Sequence, residues 1–210
     1  MRRARVGWVL LALCAGSTSA HAAPWSNLRE LSVWVGGGVE GYTLNLAPRV
    51  DPGVTYGVSV GARPPRLLGF DVGLELGYSH AHNDLDARRV PQGAGDGLAL
   101  VRDGAYAAAS VGLLSSRVRP YVMGGLGFSV YNIRGTVQGF GDETVGHVPM
   151  GAGVHTSLGV FSADARLEYD VLFDQRYAAG APVPNVGGRT PLTIGRSGRY
   201  SGRLNLGVAW

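Results

Sequence analysis

Apolar and polar residues alternate along much of the chain beyond residue 30. The clearest run is 70–79, where Phe70, Val72, Leu74, Leu76 and Tyr78 alternate with Asp71, Gly73, Glu75, Gly77 and Ser79. Because successive side chains of a β-strand point to opposite faces, this pattern predicts a strand with one apolar face and one polar face. The runs 163–173 and 200–210 repeat the pattern. The sequence therefore predicts an all-β chain.

Eight such strands are predicted. They cover residues 31–44, 54–62, 70–79, 105–114, 121–131, 150–160, 163–173 and 200–210. Their lengths are close to the ~9 to 11 residues with which a tilted strand crosses a bilayer. No segment after residue 30 approaches the ~20 apolar residues that a membrane-spanning helix needs. Any crossing of a membrane is therefore expected to use strands.

The connections between the predicted strands alternate in length. Short connections are 63–69, 115–120 and 159–162, long ones are 80–104, 132–149 and 174–199, and 45–53 is intermediate. Transmembrane barrels have short periplasmic turns and longer extracellular loops, so this order predicts an antiparallel up-and-down transmembrane β-barrel over 31–210. In hydrocarbon an unpaired backbone group costs several kcal/mol, so the edge strands are expected to pair and close the barrel. An eight-stranded interior is just wide enough for side chains to fill, which argues against an open pore.

The N-terminus has the features of an export signal. Three arginines within the first five residues precede an apolar stretch at 6–16, and small residues at 20 and 22 suit a signal peptidase. We expect 1–22 to be a cleaved signal peptide and 23–30 a short periplasmic segment. The single cysteine lies in the signal, so the mature chain is expected to have no disulfide or thiolate metal site. The signal also carries three of the four units of net positive charge, which argues against a nucleic-acid partner.

The strand count, the alternating connections and the terminal Val208-Ala209-Trp210 resemble those of the small eight-stranded outer-membrane barrels of the OmpA and OmpX type. The resemblance covers residues 31–210 and departs at Asn205, where the terminal insertion signal usually has a glycine. It implies a place in the bacterial outer membrane, contact with its lipids and recognition of the last strand by the barrel assembly machinery. It also implies a non-enzymatic structural or surface-interaction role through the long extracellular loops, without a cofactor and with an unidentified extracellular ligand.

The polar face of the predicted barrel carries ionisable side chains. They are Asp71, Glu75, Asp164, Arg166, Glu168, Asp170 and Arg203. Charges inside a narrow barrel have to pair or meet water, so we expect a structural salt-bridge network in which Arg203 and Glu168, on neighbouring strands, face one another. The alternative is that the same residues line a narrow channel for ions or small solutes.

The apolar face carries aromatic side chains. They are Phe70, Tyr78, Tyr169, Phe173, Tyr200 and Trp210. Aromatic girdles mark both membrane interfaces of transmembrane barrels, so these residues are expected at the headgroup layers. Alternation alone does not show which face is inside. A soluble, lipocalin-like binder with an apolar interior is therefore a further alternative.

The motif His155-Thr156-Ser157 resembles the His-x-Ser of outer-membrane lipid A deacylases, because a histidine and a serine two positions apart can form a nucleophile-base pair. Leu158 stands where those enzymes have asparagine. The pair is also predicted to point inward near the periplasmic end, away from the leaflet that holds lipid A. A lipid A hydrolase therefore remains an alternative function for this protein, and no residue is assigned as catalytic.

A second histidine motif, His80-x-His82, precedes Asn83, Asp84 and Asp86 in a predicted extracellular loop. Imidazoles and carboxylates of this kind could bind zinc or copper. Loops collect such residues for solubility and turn formation, so a solvated polar loop is the expectation. No metal site is assigned.

Overall fold

The computed structural model describes residues 30–44, 46–47, 50–64, 70–85, 98–113, 117–134, 143–173 and 194–210, with only the backbone of 194–197. The predicted signal peptide 1–22 and all but the last residue of the predicted segment 23–30 lie outside the described residues. Within the described ranges, no helix has the length and apolar character needed to span a membrane.

Eight antiparallel strands close into one barrel in the described part of the chain. They are β1 (Glu30–Tyr42), β2 (Gly53–Arg63), β3 (Asp71–Asp84), β4 (Ala99–Gly112), β5 (Val118–Arg134), β6 (Glu143–Leu158), β7 (Phe161–Phe173) and β8 (Ile194–Ala209). Each strand pairs with the next, and β8 pairs with β1. Backbone bonds of 2.9 and 3.0 Å between Leu31 and Trp210 complete that last pair. The predicted all-β, eight-stranded, up-and-down fold is confirmed.

The strands are staggered as they run around the barrel. Following paired residues once around from Leu31 leads back to β1 at Gly41, ten positions further along the strand. A stagger of this kind inclines strands to the barrel axis, typically by roughly 35–45°. We call the end with both termini the lower end and the opposite end, where the long connections lie, the upper end. The stagger decides which side chains share a level inside the barrel.

The strands continue further at the upper end than the sequence predicts. The predicted loops 80–104, 132–149 and 174–199 all contain strand residues. In the structure β3 runs to Asp84, β4 starts at Ala99, β6 starts at Glu143 and β8 starts at Ile194. The reason is that the pattern inverts there: His82 faces outward and is exposed, whereas Ala81 is buried inside. A search for apolar outer faces does not recognise a strand of this kind, so the predicted loops were too long.

The outer surface of the barrel between its two ends is apolar. Exposed side chains there are Val33, Val35, Val58, Val60, Leu74, Leu76, Val122, Leu126, Val154, Leu167, Leu204 and Leu206, which we call the apolar belt. Along β7, Leu167 is 72% exposed, whereas the neighbouring Arg166 and Glu168 are 6% and 9% exposed. The ionic face therefore points into the barrel. This is the reverse of the soluble, lipocalin-like alternative, in which the apolar face encloses a ligand.

The aromatic side chains singled out in the sequence lie at two levels. Phe70 and Trp210 are exposed at the lower end. Nearer the upper end, the exposed rings are Tyr78, Tyr169 and Tyr200. Phe173 lies four residues beyond Tyr169 on β7, is half-buried, and its ring covers Gly146 on β6. It therefore sits above the level of the three tyrosines.

Candidate functional site in the barrel lumen

The middle of the lumen is held by Arg166 of β7. Its Nε donates to Asp164 Oδ1 at 2.7 Å, while Nη1 and Nη2 donate to the two oxygens of Glu75 at 2.9 and 3.1 Å. Glu75 belongs to β3, so this arginine bridges the lumen. The carboxylates receive further bonds from Tyr106 and Tyr121 hydroxyls, each at 2.6 Å, and Asn205 Nδ2 donates to Asp164 Oδ1 at 2.8 Å. We call Glu75, Tyr106, Tyr121, Asp164, Arg166 and Asn205 the central cluster.

Beside the central cluster, Arg203 of β8 binds Glu168 of β7. Arg203 Nη2 lies 2.7 and 2.6 Å from the two oxygens of Glu168, and its guanidinium is 5.6 Å from the centre of the Tyr106 ring. The ladder pairs Glu168 with Ser201, so Arg203 reaches the carboxylate diagonally. Ser201 Oγ donates a weaker bond of 3.4 Å to the same group. Both charges of this pair are therefore matched.

A second charged group, the upper cluster, lies above these residues. It consists of Glu40, Arg102, His147, Asp170 and Arg199. Glu40 and Arg102 are 1% and 2% exposed and share two bonds, Nε to Oε1 at 2.9 Å and Nη2 to Oε2 at 2.7 Å. Arg199 Nε donates to Asp170 Oδ2 at 3.0 Å, and His147 Nδ1 lies 2.8 Å from Asp170 Oδ1. Arg199 Nε also lies 3.9 Å from Glu40 Oε2, so the five residues form one connected charged group.

The upper mouth of the lumen is closed by apolar side chains. Buried there are Tyr42, Leu46, Val50, Leu100, Tyr131, Val145 and Leu172, which we call the apolar seal. Leu85 and Ile133 pack against it. Leu46 and Val50 come from the connection between β1 and β2, and the others point inward from the strands. These side chains form a packed, mainly apolar layer at this end of the described barrel.

The lower end of the lumen is more open. Around its mouth, Arg63 Nη1 binds Glu30 at 2.8 Å, and Arg63 and Arg119 each lie 3.7 Å from Asp71. Inside is a cavity of about 70 Å³, which reaches up to the central cluster. The corresponding space at the upper cluster is only about 10 Å³. Among the described residues, free volume in the lumen is therefore concentrated at the lower end.

His155 and Ser157 do not form a nucleophile-base pair. His155 is buried beside the lower cavity, with its ring edge-on to Trp34 at 5.3 Å between centres. Ser157 accepts a bond of 3.2 Å from Arg119 instead. The arrangement places each side chain with a different partner, so it supplies no activated hydroxyl.

His80 and His82 lie on β3 and not in a loop. His80 Nδ1 is 2.9 Å from Asp103 Oδ1, and its ring packs on Tyr56 at 5.0 Å. His82 Nε2 is 3.6 Å from Asp84 Oδ1. Within the described residues, no group of three or more His, Cys, Asp or Glu side chains is arranged to hold a metal ion. Asp86, the remaining member of the motif, lies outside the described residues.

Comparison with known proteins places this architecture. No family model and no curated protein matches the chain. Among solved structures, Ail of Yersinia pestis in complex with the heparin analogue sucrose octasulfate has a TM-score of 0.50 and 12% identity, covering 86% of this chain and 98% of that chain. Neisserial surface protein A has a TM-score of 0.50 and 18% identity, covering 83% and 95%. The chain has the fold of the small eight-stranded outer-membrane β-barrels. The N-terminal barrel domain of Pseudomonas aeruginosa OprF has a TM-score of 0.49 and 21% identity, covering 85% and 97%.

In this small barrel the seven ionisable residues named from the sequence lie at three levels, and an Arg166–Glu168 contact of 3.5 Å links the central cluster to the Glu168–Arg203 pair. Glu75, Asp164 and Arg166 meet in the central cluster, and Glu168 meets Arg203 beside it. Asp170 belongs to the upper cluster and Asp71 to the lower mouth. Four further charged or titratable residues of the lumen were not predicted from the sequence: Glu40, Arg102, His147 and Arg199. Arg102, His147 and Arg199 fell in predicted loops, and Glu40 follows a glycine-rich stretch; continuing the alternation through those stretches would have placed them inside.

Proposed function

We propose that the protein is an integral barrel of the bacterial outer membrane, with a non-enzymatic structural or surface-interaction role. The apolar belt on a closed barrel is the observation that carries this proposal. Exposed apolar surface that is continuous around a molecule is unfavourable in water, and hydrocarbon is the solvent that removes the cost. The closed ladder supports it as well, because lipid offers no partner for a free strand edge.

A structural lumen fits the contacts better than a conducting one. Every carboxylate of the central and upper clusters is bonded to an arginine, a histidine or a tyrosine within about 3 Å. Such contacts compensate the cost of burying these charges and hold the side chains in fixed positions. We therefore propose that the lumen stabilises the barrel and does not serve as a route for solutes.

The surface role is proposed for the upper connections 86–97, 135–142 and 174–193, which remain between strands after the correction of the predicted loops. Binding residues of rigid scaffolds are commonly placed on such connections. The proposed partners are outer-membrane lipids along the belt and the barrel assembly machinery at β8. The extracellular ligand is left open, because the likeness to Ail concerns the fold alone.

The location is tested by fractionation. Membranes from expressing cells are washed with urea and then extracted with detergent, and the extract is run on gels with and without heating. The protein is expected to stay in the membrane until detergent is added and to migrate differently when unheated, since the closed barrel resists unfolding by the gel detergent. Release into the soluble periplasmic fraction without detergent would contradict the proposal and favour a soluble ligand binder.

Orientation is tested with an epitope inserted within 174–193, matched by the same epitope within 65–69 at the lower end. Antibody is expected to bind the first on intact cells and the second only after the outer membrane is permeabilised. Labelling of both on intact cells would contradict a spanning barrel with its long connections outside. Unchanged lipid A acylation with the wild type and with His155→Ala is the expected result for a non-enzymatic role.

A further inference from the structure

We infer that the connection between β1 and β2 is a plug, which closes the lumen toward the cell exterior independently of the central cluster. The lower cavity is then open to the periplasm only. This inference rests on the proposed location, because it assigns the upper end to the outside of the cell. It goes beyond the salt-bridge network, since it adds a second barrier of different chemistry in series with the first.

Burial within this connection is selective. Leu46 and Val50 are each 3% exposed, in contact with a ring of inward side chains from five different strands. Leu44 belongs to the same short connection yet is 64% exposed. Its φ of 56° places it in the left-handed region that leucine rarely adopts. The backbone is thus turned at Leu44 in a way that sends the following residues into the mouth of the barrel.

Backbone and side-chain bonds tie the plug to β3. Val50 N donates to Leu46 O at 3.0 Å, and Asp51 N donates to Asp84 O at 2.9 Å. Asn83 is fully buried, and its Nδ2 donates to Glu40 O and Asp51 O, each at 3.1 Å. The side chain of Asn83 in the barrel wall therefore links β1, near its upper end, to Asp51 beyond the plug.

The plug holds together without the central cluster. The seal is linked to the upper cluster through two tyrosines: Tyr42 donates to Glu40 Oε1 at 3.3 Å, and Arg199 donates to the Tyr131 hydroxyl at 3.1 Å. Removing a charge at Arg166 or Glu75 leaves the contacts of Leu46 and Val50 in place. A hydrophobic constriction excludes ions by dewetting, so it remains closed when a salt bridge below it is broken.

Two inward-facing serines report on the two sides of the barriers. Ser110 lines the lower cavity, which has room for a few water molecules. Ser129 is fully buried below the seal, and Arg199 donates to its hydroxyl at 3.3 Å. The mature chain is expected to have no cysteine, so Ser110→Cys and Ser129→Cys each introduce a single thiol.

The experiment measures reaction of these thiols with a small, charged methanethiosulfonate applied to one side of vesicles in which the full barrel is inserted in one direction. Ser110→Cys is expected to react from the lower side, and Ser129→Cys from neither side. Adding Leu46→Ser to Ser129→Cys is expected to raise its rate from the upper side by roughly tenfold or more, which corresponds to about 1.4 kcal/mol in an opening equilibrium. Leu44→Ser, in the same connection but exposed, is the matched control and is expected to leave the rate unchanged.

Detergent-dependent extraction and heat-modifiable migration of each variant are measured first. A protein outside the membrane, or an unfolded variant, is thereby distinguished from an inserted barrel whose upper mouth is open. Where Leu46→Ser does not fold, Val50→Ala takes its place. Rapid reaction of Ser129→Cys from the upper side with the plug intact would overturn the inference, as would an equal effect of Leu44→Ser and Leu46→Ser. Steady conductance of Arg166→Met in planar bilayers would also overturn it, because the seal is expected to stay closed in that variant.

Discussion

Replacing Arg166 by methionine is the most direct test of the central cluster. The substitution removes three hydrogen bonds of 2.7 to 3.1 Å, so the carboxylates of Glu75 and Asp164 lose the guanidinium that they share. Both then keep only hydroxyl or amide donors. Breaking a buried ion pair by removing one partner costs about 3–5 kcal/mol, because the remaining charge is desolvated without compensation. We expect a loss of that size in the free energy of unfolding.

The loss is measured by urea titration of the barrel in lipid vesicles, with the free energy of unfolding extrapolated linearly to zero denaturant. Arg134→Met, at an exposed site on the end of β5, is the control and is expected to change stability by no more than about 0.5 kcal/mol. Adding Glu75→Gln to Arg166→Met is expected to restore part of the loss, with a coupling of about 0.5–3 kcal/mol. A loss under about 1 kcal/mol, or strict additivity, would refute the account of the cluster as a compensated charge group.

Two further substitutions test the packing on either face of the wall. Gly77→Ala would put a methyl group into the Tyr106 ring, so the free energy of unfolding is expected to fall by about 1–3 kcal/mol. Gly124→Ala, whose nearest contact would be 3.9 Å away, is the control and is expected to be close to neutral in the same titration. Leu167→Arg places a charge in the apolar belt and is expected to lower the free energy of unfolding in vesicles by about 2–4 kcal/mol. Leu44→Arg, at an exposed site above the belt, is the control and is expected to change it little. Equal losses for the two variants would argue against lipid contact at β7.

The strands could be predicted because one constraint acts on all of them. Every second side chain of a strand faces the outside of the barrel and has to be apolar, as at Leu74 and Leu76. The alternation can therefore be recognised in the sequence alone. Above the belt that constraint ends. His80 and His82 face outward there, and the strand is recognisable only from the small or buried residues between them. The predicted lower ends of the strands were accordingly closer to the structure than the upper ends.

The partners inside the lumen could not be predicted in the same way. Glu75 and Arg166 are 91 positions apart and lie on strands that do not touch each other in the sheet. Their meeting depends on the ten-residue stagger and on the width of the closed barrel, which are properties of the whole ladder. Arg203 and Glu168 were easier, because adjacent strands bring them together directly. The burial of Leu46 and Val50 in the apolar seal could not be predicted, because both lie in a connection between strands, where the alternation does not apply.

The chain has 19 arginines and no lysine. Arg166 shows what a guanidinium provides that an ammonium group does not. Its planar fork reaches two oxygens of Glu75 and one of Asp164 at once, whereas an ammonium is a single point of charge on a flexible stem. Arg166→Lys keeps the charge and removes the fork, so it separates geometry from electrostatics. We expect it to cost about 1–3 kcal/mol in the urea titration, less than Arg166→Met, because one carboxylate loses its charged donor. Stability equal to the wild type would mean that net charge alone holds the cluster together.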